Sequence, residues 1–178
     1  MAERTISINR APVLTLWAAV VARRLGFAED EALTLGKAVA GLNAQTKGRR
    51  LGIFKPHEEK PEKAREKEWG ERFFVEVCGR SVPVTNTEDG IRAVRGRKPM
   101  DPDSVRRYLE GKFGRNLKAV RSAMQKLANA YKPRELADHA FSLYERFRPS
   151  IPEGVKGWSA KGDLDWGLIG RLAEEKPS

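Results

Sequence analysis

From Gly111 to Arg134 the chain contains no carboxylate, while Lys112, Arg115, Lys118, Arg121 and Lys126 recur through it. The excess begins further upstream. Residues 92–134 hold 13 basic side chains against Asp101, Asp103 and Glu110, and the rest of the chain is balanced, so this segment carries the entire net charge of +10. A solvated helix surface ordinarily mixes both signs, because opposite charges on neighbouring turns attract and like charges repel. A stretch of one sign fits a polyanionic partner, and nucleic acid is the commonest one. The chemistry implied is non-covalent. Lys and Arg neutralise phosphates, while Ser, Asn and Gln donate to phosphate oxygens or read base edges.

These residues need rigid elements to hold them. From Asn116 to Tyr131, the residues Leu117, Val120, Met124, Leu127 and Tyr131 recur at spacings of three and four, which predicts one apolar helix stripe. The opposite side then displays Lys118, Arg121, Ser122, Gln125, Lys126 and Asn129, all hydrogen-bond donors. Asp101 and Pro102 read as an N-cap and first residue of a preceding helix that ends near Phe113, with Val105, Tyr108, Leu109 and Phe113 inward. That helix and the Gly114 break after it would carry Arg106, Arg107, Lys112 and Arg115 to phosphates.

Upstream, the run RAVRGRKP holds Arg92, Arg95, Arg97 and Lys98. Its Arg95-Gly96-Arg97 followed by Lys98-Pro99 resembles an AT-hook, in which an extended Arg-Gly-Arg enters the minor groove of A·T-rich DNA. The resemblance covers five residues, and Lys98 stands where that motif has proline directly after the second arginine. It implies a flexible arm in which Arg95 and Arg97 reach into a narrow, electronegative groove.

Enzymatic constellations fail on spacing. His57 and His139 are 82 residues apart, with no neighbouring Cys or spaced His to complete a zinc site. Cys78 is alone, so no intramolecular disulfide forms, and its place in an alternating strand pattern makes it a core residue. The run GLNAQTK from Gly41 to Lys47 lacks the glycine before lysine and the Ser/Thr after it that a phosphate loop requires, and reads as a helix end closed by Gly48. The segment from Val20 to Gly41 resembles the helix pair before the metal motif of HD-domain phosphohydrolases. The diagnostic His-Asp is missing, so that activity is not carried over. Glu58, Glu59, Glu62, Asp163 and Asp165 could hold Mg²⁺ only if the fold gathered them, and Asp163 reads better as a cap. No catalytic residue, metal or cofactor is expected.

The remaining elements follow from period and punctuation. A helix is predicted after Asn9, with Pro12 in its first turn, to Leu25, and a second from the acidic turn Glu29, Asp30, Glu31 to about Gln45. Gly36, Ala38, Ala40 and Gly41 in the second cost helix propensity but let a neighbouring backbone approach closely, so together the two helices form a tight antiparallel helical hairpin over residues 1–54. The charged run KPHEEKPEKAREKEWG predicts a linker helix over residues 55–70. Residues 71–98 read as a β-hairpin unit with the basic arm: Phe73, Val75 and Val77 alternate, Gly79-Arg80 forms a type II′ turn, and Ile91–Val94 adds a third strand. Residues 99–178 form the basic helical part. Pro133 opens a helix with Leu136, Ala137, Ala140, Phe141, Tyr144 and Phe147 inward, and a short last helix buries Leu164, Leu168 and Leu172. The expected fold is α+β and mainly α, as one compact domain or two associated lobes.

The apolar run from Ala11 to Val21 is too short to span a bilayer, and the first ten residues lack the apolar core of an export signal. The expectation is a cytoplasmic, non-enzymatic protein that binds nucleic acid, with DNA favoured over RNA and a homo-oligomer left open. The rival is an interaction or assembly module in which Gly36, Ala40, Trp158 and Trp166 form the interface and the basic segment meets an acidic protein. A metal-dependent enzyme acting on phosphates ranks third.

Overall fold

Asn9 leads into a helix from Arg10 to Arg24 (α1) in which every residue from Pro12 to Ala22 is buried, so this helix has no solvent face over its middle turns. The computed structural model describes residues 5–50, 72–95, 98–150 and 161–175. Within them the chain is α+β and mainly helical. After α1 come α2 (Glu29–Arg50), β2 (Arg72–Val77), β3 (Arg80–Thr87), β4 (Gly90–Arg95), β5 (Lys98–Pro99), α3 (Pro102–Phe113), α4 (Leu117–Asn129), α5 (Pro133–Phe147), β6 (Lys161–Asp165) and α6 (Trp166–Glu175). A strand β1 (Thr5–Asn9) precedes them all.

The helices stack around α1. Its Trp17 indole N–H donates to the Ala140 carbonyl of α5 at 2.8 Å, and its ring meets Phe147 edge-on with centroids 5.3 Å apart. A buried indole needs such a partner for its N–H, so this bond fixes where α5 can lie. Against α2 the approach is closer. A Cβ on Gly36 would stand 2.3 Å from the Thr15 carbonyl oxygen, so only glycine admits this crossing. The small-residue face of α2 is therefore spent inside the molecule, where Gly36 and Ala40 are buried, and is not open to a partner.

Two small antiparallel sheets flank the helices, ordered β2-β3-β4-β5 and β1-β6. In the first, Val77, Val82, Val84 and Ala93 turn into the core. Its hairpin turn lies one residue earlier than predicted: Val77 pairs with Arg80, and Cys78 and Gly79 take φ of 50° and 75°. Two positive φ values make a type I′ turn, whose twist matches that of the strands it joins. The second sheet was not foreseen. Thr5 pairs with Asp165 and Asn9 with Lys161, which joins the two ends of the chain. Leu164, assigned from sequence to the last helix, is instead a buried strand residue.

Two further expectations are corrected. α2 continues to Arg50 past Gly48, because one glycine costs a helix only about 1 kcal/mol and does not end it by itself. The cap before α6 is Asp165, which accepts from the Gly167 N–H at 2.8 Å, while Asp163 is exposed on β6. The proposed linker helix over residues 55–70, with His57, Glu58, Glu59 and Glu62, lies outside the described residues, as does Trp158. Trp166 packs half-buried against the core. No described helix is long and apolar enough to cross a membrane.

Replacing Gly36 with Ala tests the crossing. Helix propensity alone favours alanine by about 1 kcal/mol, yet a methyl forced against a backbone carbonyl costs about 1–3 kcal/mol or more. Urea unfolding should show the variant less stable than the parent, and a gain in stability would mean that α1 and α2 do not cross here.

Candidate nucleic-acid interface

The first turn of α2 supplies three consecutive carboxylates, and each holds a different element. Glu29 takes Arg121 of α4, with one guanidinium nitrogen donating to both of its oxygens. Asp30 accepts from Arg106 of α3 at 2.7 Å. Glu31 accepts from its own cap region, the Ala28 N–H at 2.8 Å, and from the Ile91 N–H of β4, also at 2.8 Å. These two backbone donors, Ile91 first, hold the Glu31 carboxyl below the ordinary carboxylate range. A negative first turn suits the helix dipole, but here it also joins α3, α4 and the sheet to one helix end.

This arrangement divides the candidate binding residues into those already paired and those that are not. Arg106 is held between Asp30 and Asp103, and the Asp30 hydrogen bond pushes its guanidinium further above its ordinary value. Arg121 is tied to Glu29, and Lys126 reaches Glu174 of α6 at 3.1 Å. Arg92 is only 7 % exposed, and its guanidinium donates to the Ile91 carbonyl at 3.0 Å, so it faces the protein and not a partner. The absence of local carboxylates in sequence thus hid pairing with acids from distant elements.

Arg107, Lys112, Arg115 and Lys118 remain exposed, and none has a carboxylate partner among the described residues. Arg107 and Lys112 belong to α3, Arg115 lies in the 3-10 turn Gly114–Asn116, and Lys118 opens α4. They therefore run through the corner between the two helices. Along α4, Lys118, Ser122, Gln125 and Asn129 are exposed and stand one turn apart, opposite buried Val120, Met124 and Leu127. The amphipathic reading of this helix is the structure's reading too.

At the RGRKP segment, β5 pairs antiparallel with β4, placing Lys98 opposite Arg95 and Pro99 opposite Val94. Arg97 and the Arg95 side chain lie outside the described residues. Lys98 is exposed at the rim of a cleft of about 400 Å³ between α2, β5 and the start of α3, shared with Lys37, Met100, Ser104 and Tyr108. The Lys37 ammonium sits 3.6 Å from the Tyr108 ring centroid, and Lys112 lies 6.0 Å from it. Lys37 was not singled out from sequence. Its only signal was to be the one basic residue between Glu29 and Gln45.

No cluster of three or more His, Cys, Asp or Glu side chains able to hold a metal occurs among the described residues. Burial pushes the Cys78 thiol up to about 12, which leaves it protonated and unreactive at neutral pH. His139 is exposed on α5 with its ring 6.3 Å from Tyr131. No protein-family model matches the chain, and no curated protein or solved structure is significantly similar to it.

Glu31 gives the site scaffold a pH signature. Its carboxyl is lowered in the folded state, so its stabilisation is present above the ordinary carboxylate value of about 4.3 and lost as pH falls through the folded value. Glu31→Gln keeps one acceptor oxygen and sets an NH₂ against the other backbone donor. The variant should lose about 1 kcal/mol at pH 7, with the gap to the parent closing in acid. Parallel stability curves down to pH 3 would show that Glu31 does not bridge α2 and β4 through its charge.

Proposed function

We propose that the protein binds nucleic acid, preferentially duplex DNA, without acting on it covalently, through the α3–α4 corner and the exposed face of α4. The observation that carries this reading is the cluster of four exposed cations Arg107, Lys112, Arg115 and Lys118, without a carboxylate partner among the described residues, continuing into Ser122, Gln125 and Asn129. Surface cations often find acidic neighbours, as Arg106, Arg121, Lys126, Arg146 and Arg171 do here. Gathered at one corner, these four keep their charge for a partner. Phosphates would take the cations, and the amide and hydroxyl side chains of a rigid helix suit the polar edges in a major groove. Lys98 would extend the phosphate contacts along one side of α3. Arg106 and Arg121 act as positioning residues in this reading, since their guanidinium groups orient α3 and α4 against α2.

A salt titration tests it. With four to five phosphates neutralised, log K should fall against log salt with a slope of about −4, a loss of a few hundredfold between about 50 and 200 mM. Arg115→Ala with Lys118→Ala should weaken every duplex similarly and reduce the slope by about two. If neither DNA nor RNA binds at low salt, the reading fails and the basic corner is left to an acidic protein surface.

A further inference from the structure

A second basic site lies at the far end of the α1–α2 pair, away from the acidic turn of α2. Arg10 opens α1 and Arg148 caps α5, and both line one small cavity; burial first, and then the nearby Arg148 charge, lower the Arg10 guanidinium below its ordinary value. Arg10 Nε donates to the Pro149 carbonyl at 2.9 Å, which holds its side chain in place. Neither arginine forms an ion pair with a carboxylate among the described residues. Two like charges lining one cavity, with no carboxylate partner among the described residues, is an arrangement that an anion would relieve.

Tyr144 completes the site. It is 1 % exposed and lines the same small cavity as both arginines. Its hydroxyl makes no hydrogen bond among the described residues, although a buried hydroxyl without a partner costs about 1–3 kcal/mol. Burial pushes that phenol up to about 12, so it remains a proton donor at neutral pH. Asn43 of α2 also lines the cavity. Its Oδ1 accepts from Arg80 at 3.0 Å, which leaves the amide NH₂ to donate. The first turn of α1 contains no acid, so its N–H groups and dipole add positive potential. The carboxylate nearest in sequence, Glu145, is exposed and pairs with neither arginine.

We infer that Arg10, Arg148, the Tyr144 hydroxyl and the Asn43 amide form an anion site for a tetrahedral phosphate group, independent of the nucleic-acid surface. The cavity holds about 10 Å³, room for one oxygen-sized atom and not for a base or sugar. The site therefore grips a phosphate by its leading oxygen, with the guanidinium groups on the outer ones, and leaves whatever the phosphate is attached to in solvent. Inorganic phosphate and a small phosphomonoester share that chemistry. A single ordered water could satisfy Tyr144, but it would leave the two guanidinium charges opposed.

Calorimetric titration of the full chain with inorganic phosphate, against chloride at equal ionic strength, decides the matter. One saturable site per chain is expected, with Kd about 1 mM or below. Arg148→Ala should weaken it about tenfold or more, and Tyr144→Phe, which keeps the ring and removes only the hydroxyl, by about three- to tenfold. Arg134→Ala, an exposed cation elsewhere on α5, should leave it unchanged. Binding of glycerol phosphate tighter than inorganic phosphate assigns the site to phosphomonoesters, and weaker binding assigns it to the free ion. Absence of saturable binding, or equal weakening by Arg134→Ala and Arg148→Ala, overturns the site in favour of a bound water or diffuse surface charge.

Discussion

The close crossing of α1 and α2 at Gly36 is the contact on which the other elements depend. It brings two backbones nearer than any side chain would allow, and it leaves the remaining surface of α1 to be covered by α3, α4 and α5. Trp17 then sets α5, since a large ring with one buried donor has few acceptable positions. Close packing of this kind transmits position: once α2 is fixed against α1, its two ends are fixed as well. Both charged regions of the molecule are built along that pair, one on the first turn of α2 and one beside the start of α1.

At one end the three carboxylates of α2 take up cations that would otherwise crowd the α3–α4 surface. Exposed ion pairs contribute at most about 1 kcal/mol each, so their chief effect is on geometry and charge distribution. By binding Arg106 and Arg121, Asp30 and Glu29 align α3 and α4 and leave the outward side to Arg107, Lys112, Arg115 and Lys118. At the other end, Arg10 and Arg148 line one recess with Tyr144, and neither forms an ion pair among the described residues. The two regions differ in kind: an open surface suited to an extended polyanion, and a recess suited to one oxygen of a small one.

Local sequence determined the elements whose signals lie within a turn or two. The stripe of Val120, Met124 and Leu127, the Asp101 cap with Pro102 behind it, and the acidic start of α2 each depend on residues within four positions of one another, and each stands where the sequence placed it. The one-signed charge of residues 92–134 was equally legible, because charge is a property of the residues and not of their arrangement.

Tertiary structure decided what those charges and small residues face. Pairing of β1 with β6 joins segments more than 150 residues apart, and no local pattern specifies a partner at that separation. For the same reason Arg121 read as a surface cation until Glu29, 92 residues away, was brought beside it, and although Gly36 read as a place of close helix approach, only the fold shows that Thr15 is what lies against it. The convergence of Arg10, Asn43, Tyr144 and Arg148 had no sequence signal at all: four unremarkable positions on three helices line one recess because the start of α1 and the end of α5 meet against an inner turn of α2.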